Sequence, residues 1–416
     1  MRSLACLSLR LQTVKSLATQ PELRNRVWRF RLRNLPLSMA STSENNYKGN
    51  WYPPWAPRFW NGMKCGDYLS LLRENRFQIH PARYPMTVLV GGCTLLNTCA
   101  AATQRLLMHK KIANTEIEHP PIFVIGHWRS GTTLMHELLS LDERFAFPNT
   151  IDTFTPHHFL VTRYLLEPLL WAILPKRRPM DDMAVRVNSP QEDDFALCAY
   201  GAPTPYRRVA FPNRKGRDHL QLNLSLAEPN QRVELQKTLE HFIKSLTIRY
   251  GSKRLVLKSP PHTGRVKQLA QWFPQAKFVH LSRHPHKVVA STMRLWKMLD
   301  EIQGFQLPKY DDSWLKNYVF ECKDLMYQSY FQQRETLPKN QLAEVRFETL
   351  LDDPVSTMQG VYDQLELDGF DATKAAVQNY FSARKGHKIR TAGIDPEVGE
   401  DINHHWREYM EAFGYE

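Results

Sequence analysis

Pro121-Ile-Phe-Val-Ile-Gly-His-Trp-Arg-Ser-Gly-Thr-Thr-Leu134 decides how the chain is read. Ile122 to Ile125 is a short β-branched apolar run, the pattern of a strand buried in a parallel sheet. Gly126 and Gly131 follow with the glycine spacing of a phosphate-binding P-loop, and Leu134, Leu138 and Leu141 then recur at helical spacing. A strand, a glycine turn and a helix start together aim backbone N–H groups and a helix N-terminus at an anion. Thr132 stands where an ATPase loop carries its lysine, and a cation comes earlier, at Arg129. Residues Arg129, Ser130, Gly131, Thr132, Thr133 and Leu134 are therefore expected to hold a phosphate-like group without the usual ATPase chemistry.

Lys277-Phe-Val-His-Leu-Ser-Arg283 is a second short apolar strand that ends in a cation. His284-Pro285 breaks the chain, and the helix that follows has Val289, Met293 and Trp296 on one face. Ser291 lies on that helix, eight residues beyond Arg283. A cation at the carboxyl end of a strand and a hydroxyl on the next helix make a second anion site. Arg254-Leu-Val-Leu-Lys-Ser-Pro-Pro261 places Lys258 at the end of another strand.

These segments, in this order, resemble the sulfotransferases that use 3′-phosphoadenosine-5′-phosphosulfate (PAPS). The resemblance rests on Arg129-Ser-Gly-Thr-Thr-Leu134, on Arg283 with Ser291, on Lys258-Ser-Pro and on Glu344-Val-Arg-Phe-Glu-Thr-Leu-Leu-Asp-Asp-Pro354. It spans about residues 120 to 400 and is nearest the broad group beside the tyrosylprotein and carbohydrate sulfotransferases. The cytosolic steroid and phenol group fits less well, because it has Lys where Arg129 stands. The resemblance implies that the first loop binds the 5′-phosphosulfate and that Arg283 and Ser291 bind the 3′-phosphate. It implies that Lys258 contacts the transferring group, and that Arg384, Lys385 and Lys388 in a late basic loop close over the 3′-phosphate, although that pattern's second glycine is absent. PAPS is then the co-substrate, 3′-phosphoadenosine 5′-phosphate (PAP) the product, and Arg129 and Lys258 the cations that neutralise charge during in-line transfer.

A base must take the acceptor's proton. The tyrosylprotein pattern places a Glu shortly after the loop helix, but Phe147 to His158 holds none. The candidates are Glu192, Asp193 and Asp194 in Ser189-Pro-Gln-Glu-Asp-Asp-Phe195, together with His157 and His127; of these, Glu192 and His157 lead. Gln191 and Asp193 are placed to orient Glu192. The same acidic cluster also suits the cap of a helix beginning near Phe195. A P-loop kinase and a non-catalytic PAP-binding protein on the same fold are the competing readings. The acceptor stays open among small alcohols, carbohydrates, lipids and peptides.

Seven of the thirteen net positive charges fall in residues 1–38, and no basic stripe with interleaved aromatics occurs, which argues against nucleic-acid binding. The six cysteines show neither a CxxC pair nor a disulfide ladder, the usage of a reduced cytoplasmic protein. No zinc spacing is present, and no metal is expected. Met1 to about Ser38 is rich in Arg, Ser and Leu, as in a transit peptide, unless translation begins at Met39.

The expected architecture is α/β: a P-loop-NTPase-like, doubly wound parallel sheet with helices on both faces and a helical N-terminal extension. Strands are expected at 122–126, 254–258, 277–282 and 342–347, with helices near 132–141, 229–249, 286–299 and 312–334. Residues 1–44 form a disordered extension, 45–118 a helical segment and 119–416 the α/β domain, with an acceptor-side insertion at about 150–225. Between Arg83 and Arg105, residues 84–104 carry no charge; Asn97, Gln104 and the threonines dilute their apolarity. This stretch is long enough to span a bilayer, and three readings stand: a helix inserted in a membrane, a helix in peripheral membrane contact, or a helix packed on the domain.

Overall fold

The computed structural model describes residues 52, 56–173, 186–214, 216–384 and 396–416. The expected extension at 1–44 lies outside these residues, as do Lys385 and Lys388 of the basic loop. The sheet is built from β1 (Ile122–Gly126), β2 (Phe145–Ala146), β3 (Arg254–Lys258), β4 (Lys277–Ser282) and β5 (Leu342–Arg346). Its order is β2-β3-β1-β4-β5, with every pairing parallel. Four of these strands coincide with the apolar runs of the sequence. β2 is an addition: two residues are too few to show a periodicity.

Side chains alternate across the sheet, so each strand feeds two cores. Phe123 and Ile125 of β1, Leu255 and Leu257 of β3 and Phe278 of β4 enter one core with the helices at 229–250, 285–303 and 312–334. Ile122, Val124, Val256, Val279 and Leu281 enter the other, against the helices at 132–139, 354–364 and 370–382. Burial on both faces explains why β1, β3 and β4 read as nearly continuous apolar runs, whereas edge strand β5 alternates buried and exposed residues. The fold is the expected doubly wound one, with helices on both faces.

The helices before residue 118 are tied to this body. Trp60 Nε1 donates to the Gln303 carbonyl at 2.6 Å, and the Phe59 ring stacks on Phe195 at 4.4 Å. Residues 49–416 form one compact unit.

Parallel strands bring their carboxyl ends to one edge, where such folds bind ligands. Gly126 pairs in register with Leu281, and Val124 with Lys258. The P-loop, the start of the 259–265 turn and the Arg283 corner therefore share that edge.

Candidate active site

The loop between β1 and the Thr132–Leu139 helix requires its two glycines. Gly126 has φ 137° and Gly131 has φ 104°. A Cβ on Gly131 would fall 2.2 Å from the Phe347 ring, and one on Gly126 would fall 2.4 Å from the Leu281 carbonyl oxygen. Arg129, with φ 69°, occupies the left-handed region that disfavours a side chain. It is held there from several sides. Arg129 Nε donates to Ser291 Oγ at 2.9 Å, and Arg283 Nη1 donates to the Arg129 carbonyl at 3.1 Å. Next to it, Thr292 Oγ1 donates to the Trp128 carbonyl at 3.2 Å. Ser130 folds back on the loop, its Oγ donating to the His127 carbonyl at 2.8 Å.

The two anion motifs of the sequence thus meet directly: Arg129 belongs to one, Arg283 and Ser291 to the other. Gly131 is the N-cap of the loop helix and offers no side-chain cap. The first N–H groups of a helix have no intrahelical acceptor, so Thr132, Thr133 and Leu134 present donors at this corner. Arg283 is further fixed by its backbone N–H, which donates to Tyr409 Oη at 2.9 Å, and its guanidinium lies 4.4 Å from the Phe347 ring. Burial, opposed by Glu348 and reinforced by the Arg129 charge, lowers the Arg283 pKa. A site that crowds two guanidinium groups and orphan N–H donors suits a polyanion.

Beside this corner lies a buried ionic cluster. Lys258, at the end of β3, donates to Glu192 Oε1 at 2.7 Å. Tyr206 Oη donates to the other oxygen of Glu192 at 2.5 Å and accepts from Trp128 Nε1 at 2.8 Å. A continuous hydrogen-bonded path therefore runs from the P-loop through Trp128, Tyr206 and Glu192 to Lys258. The two next carboxylates have partners in the turn after Lys258. Asp193 pairs with His262 Nε2 at 2.6 Å; Asp194 accepts from Ser259 Oγ at 2.7 Å and from Arg265 Nη1 at 3.1 Å. Thr263, in the same turn, accepts from the Gly126 N–H at 2.7 Å. The charge of His262 holds the Asp193 carboxyl below the usual carboxylate range, against the opposing effect of burial.

Two expectations about the acidic cluster need correction. Glu192 does occupy the N-cap position of the Asp193–Ala199 helix, but its side chain makes no cap hydrogen bond. Gln191 and Asp193 do not orient it: Gln191 donates to Thr150 Oγ1 at 3.1 Å, and Asp193 serves His262. The groups that hold Glu192 are Lys258 and Tyr206.

The other candidates stand elsewhere. His157 Nε2 donates to the Ala199 carbonyl at 3.2 Å and its ring meets Tyr200 edge-on at 4.5 Å. Burial, then the Lys64 charge, pushes its pKa down to about 3. His127 is fully buried, its ring edge-on to Trp406 at 5.3 Å, and burial lowers its pKa to about 4. Arg384 donates to Glu137 Oε2 at 3.2 Å, which ties the start of the late basic loop to the P-loop helix.

Comparison with known proteins decides the family. The model of the sulfotransferase family matches residues 120–372. The chain belongs to the sulfotransferase family. Two relatives, the omega-hydroxy-beta-dihydromenaquinone-9 sulfotransferases Stf3 of Mycobacterium bovis and Mycobacterium tuberculosis, are 34% identical to this sulfotransferase over 362 residues, covering 87% of this chain and 92% of theirs. Sulfotransferase STF9 from Mycobacterium avium shares the fold with a TM-score of 0.60 at 16% identity, over 85% of this chain and 97% of that one. Sulfotransferase STF1 from Mycobacterium tuberculosis does so with a TM-score of 0.60 at 15% identity, over 82% and 91%. The enzyme moves a sulfuryl group to an acceptor. Sequence reasoning missed Tyr206, Trp128, His262 and Arg265 at its centre. One signal was available: Lys258, His262 and Arg265 cluster within eight residues, at the end of β3 and in the 3₁₀ turn Pro260–Arg265 that follows it.

Proposed function

We propose that the enzyme transfers the sulfuryl group of PAPS to a hydroxyl on a lipid-class acceptor, with Glu192 as general base. The observation that carries this reading is the buried Lys258–Glu192 pair, 2.7 Å apart and joined through Tyr206 and Trp128 to the P-loop. The acceptor oxygen forms the new O–S bond while the bond from sulfur to the bridging oxygen of the 5′-phosphate breaks. Glu192 takes the hydroxyl proton, and Lys258 and Arg129 offset the charge that builds on the departing oxygen. Arg283 and Ser291 hold the 3′-phosphate, and the loop N–H groups of 130–134 hold the 5′ end. His157 stands apart from this path, on the Ala199 carbonyl and against the Tyr200 ring.

The lipid class of acceptor is supported by the names of the two relatives, which give a hydroxylated dihydromenaquinone as substrate. Free thiols at Cys65, Cys93, Cys99, Cys198 and Cys322 suit a reducing, cytoplasmic setting. The test supplies radiolabelled PAPS with an ω-hydroxylated isoprenoid quinone, or with the same quinone lacking the hydroxyl. Label is expected only in the hydroxylated lipid, and Glu192→Gln is expected to slow its appearance by about 10²–10⁴-fold. Label transfer at the wild-type rate by Glu192→Gln would remove Glu192 from the role of base. Transfer to sugars or tyrosyl peptides but not to the lipid would overturn the acceptor class.

A further inference from the structure

The Tyr84–Ala113 helix is inside out. Val90 and Ile112 face the protein, but so do three polar residues, Thr94, Asn97 and Gln104. They have built-in partners. Asn97 Nδ2 donates to the Met63 carbonyl at 2.9 Å, and its Oδ1 lies 3.1 Å from His158 Nε2. Gln104 Oε1 accepts from the Leu160 N–H at 2.9 Å. The opposite face carries Val88, Leu89, Leu95, Leu96, Leu106 and Leu107 into the open, with Leu96 73% and Leu106 79% exposed. A surface helix of a soluble protein normally does the reverse. The neighbouring Phe159–Ile173 helix continues the same character, with Tyr164, Leu165 and Trp171 exposed, the last by 78%. Asn97 and Gln104 grip the start of this second helix at His158 and Leu160, so the two apolar faces are built as a pair.

Charge selects the occupant. The first helix contains no carboxylate, whereas Arg105, His109, Lys110 and Lys111 crowd its carboxyl end. In the second, Glu167 is the single acid, beside Arg163. Apolar side chains flanked by cations, with Tyr and Trp at the margin, match the boundary between acyl chains and anionic headgroups. The polar grip along the inner face excludes a spanning pose, since the sheet domain would have to follow the helix into hydrocarbon. We propose that this face docks flat on an anionic bilayer surface, with the roughly 45 Å long helix lying in the interface. The insertion that carries Glu192 also carries Tyr164 and Trp171, so docking brings the acceptor side of the active site to the lipid phase. Docking rests on the exposed face and not on the choice of acceptor.

The experiment is sedimentation of the full chain with vesicles of phosphatidylcholine alone or mixed with phosphatidylglycerol. Wild type is expected to sediment with the mixed vesicles and to bind them at least tenfold more tightly than neutral ones. Leu96→Glu/Leu106→Glu changes two exposed side chains, and its vesicle-bound fraction is expected to fall at least tenfold, while its melting temperature and the PAP-induced shift of that temperature stay at wild-type values. Wild type that remains in the supernatant with both vesicle types overturns the proposal. So does a dimer in sedimentation velocity that the double variant splits, because the face would then belong to a second copy. Equal binding to neutral and anionic vesicles overturns the part played by the cations. A normal PAP shift in the double variant leaves the sulfotransferase reading untouched, whatever the vesicles show.

Discussion

Removing both partners of the Lys258–Glu192 pair is expected to cost less than the sum of removing each alone. The pair is 2.7 Å apart, with side chains 3% and 11% exposed. At an effective dielectric of about 20, two unit charges at that distance attract by about 6 kcal/mol, and the cost of withdrawing them from water offsets much of that. Lys258→Met leaves a buried carboxylate with Tyr206 as its remaining strong donor. Glu192→Gln offers one amide oxygen where two donors, Tyr206 Oη and Lys258 Nζ, converge, and takes the countercharge away from the ammonium. Each single change is expected to lower the unfolding free energy by about 3–5 kcal/mol. In Lys258→Met/Glu192→Gln the amide oxygen serves Tyr206 and no buried charge remains. Its loss is expected to fall short of the sum of the singles by about 2–3 kcal/mol. Urea unfolding followed by tryptophan fluorescence measures all four proteins. Additivity within about 0.5 kcal/mol would mean that the two side chains do not interact, and the proposed geometry of the base would fail with it.

Two more outcomes follow from the site and the core. Arg283→Ala is expected to weaken PAP binding by roughly tenfold to a hundredfold, from charge-assisted hydrogen bonds worth about 1.5–3 kcal/mol. Adenosine 5′-phosphosulfate, which lacks the 3′-phosphate, is expected to lose much less; calorimetry showing equal losses would mean that Arg283 acts only by holding the Arg129 carbonyl. Acid is expected to destabilise the fold well above the carboxylate range. Burial lowers the pKa of His136, His157 and His280 to about 3 and of His127 and His158 to about 4, against 6.5 in an unfolded chain. Their neutral forms favour the fold, so their contribution is complete above pH 6.5 and is lost as pH falls towards 4. Each group adds up to about 1.4 kcal/mol per pH unit in that window. Urea midpoints that stay constant from pH 7 to 5 would contradict this.

Strands β1, β3 and β4 could be read because burial on both faces writes a nearly continuous apolar run. Arg129, Lys258 and Arg283 could be read because each follows such a run, and strand ends are where this architecture puts ligands. Tyr206 could not. It sits in a short 3₁₀ turn, Pro205–Ala210, where no periodicity marks it, and its partners Trp128 and Glu192 come from separate elements. The pairing of Glu192 with Lys258 is likewise a product of tertiary folding. The acids of 192–194 and the cations of 258–265 that they pair with are 66 to 71 residues apart, beyond the reach of any local pattern. The Tyr84–Ala113 helix gave a different lesson. Thr94, Asn97 and Gln104 read as dilution of an apolar stretch, yet their spacing already placed them on one helical face. Only their partners at Met63, His158 and Leu160 showed that this face turns inward.

The two segments that build the ionic cluster fit together like a key and its ward. Glu192, Asp193 and Asp194 each engage a different group of the 258–265 turn, so neither segment can be exchanged alone. A chimera that imports the acceptor-side insertion of another sulfotransferase, in order to change what is sulfated, would set foreign carboxylates against the resident Lys258, His262 and Arg265. Grafts that carry both segments as a matched cassette are the ones that can be expected to fold and turn over. The two segments therefore make one two-part module, with one half in the insertion and the other at the end of β3 and in the turn after it.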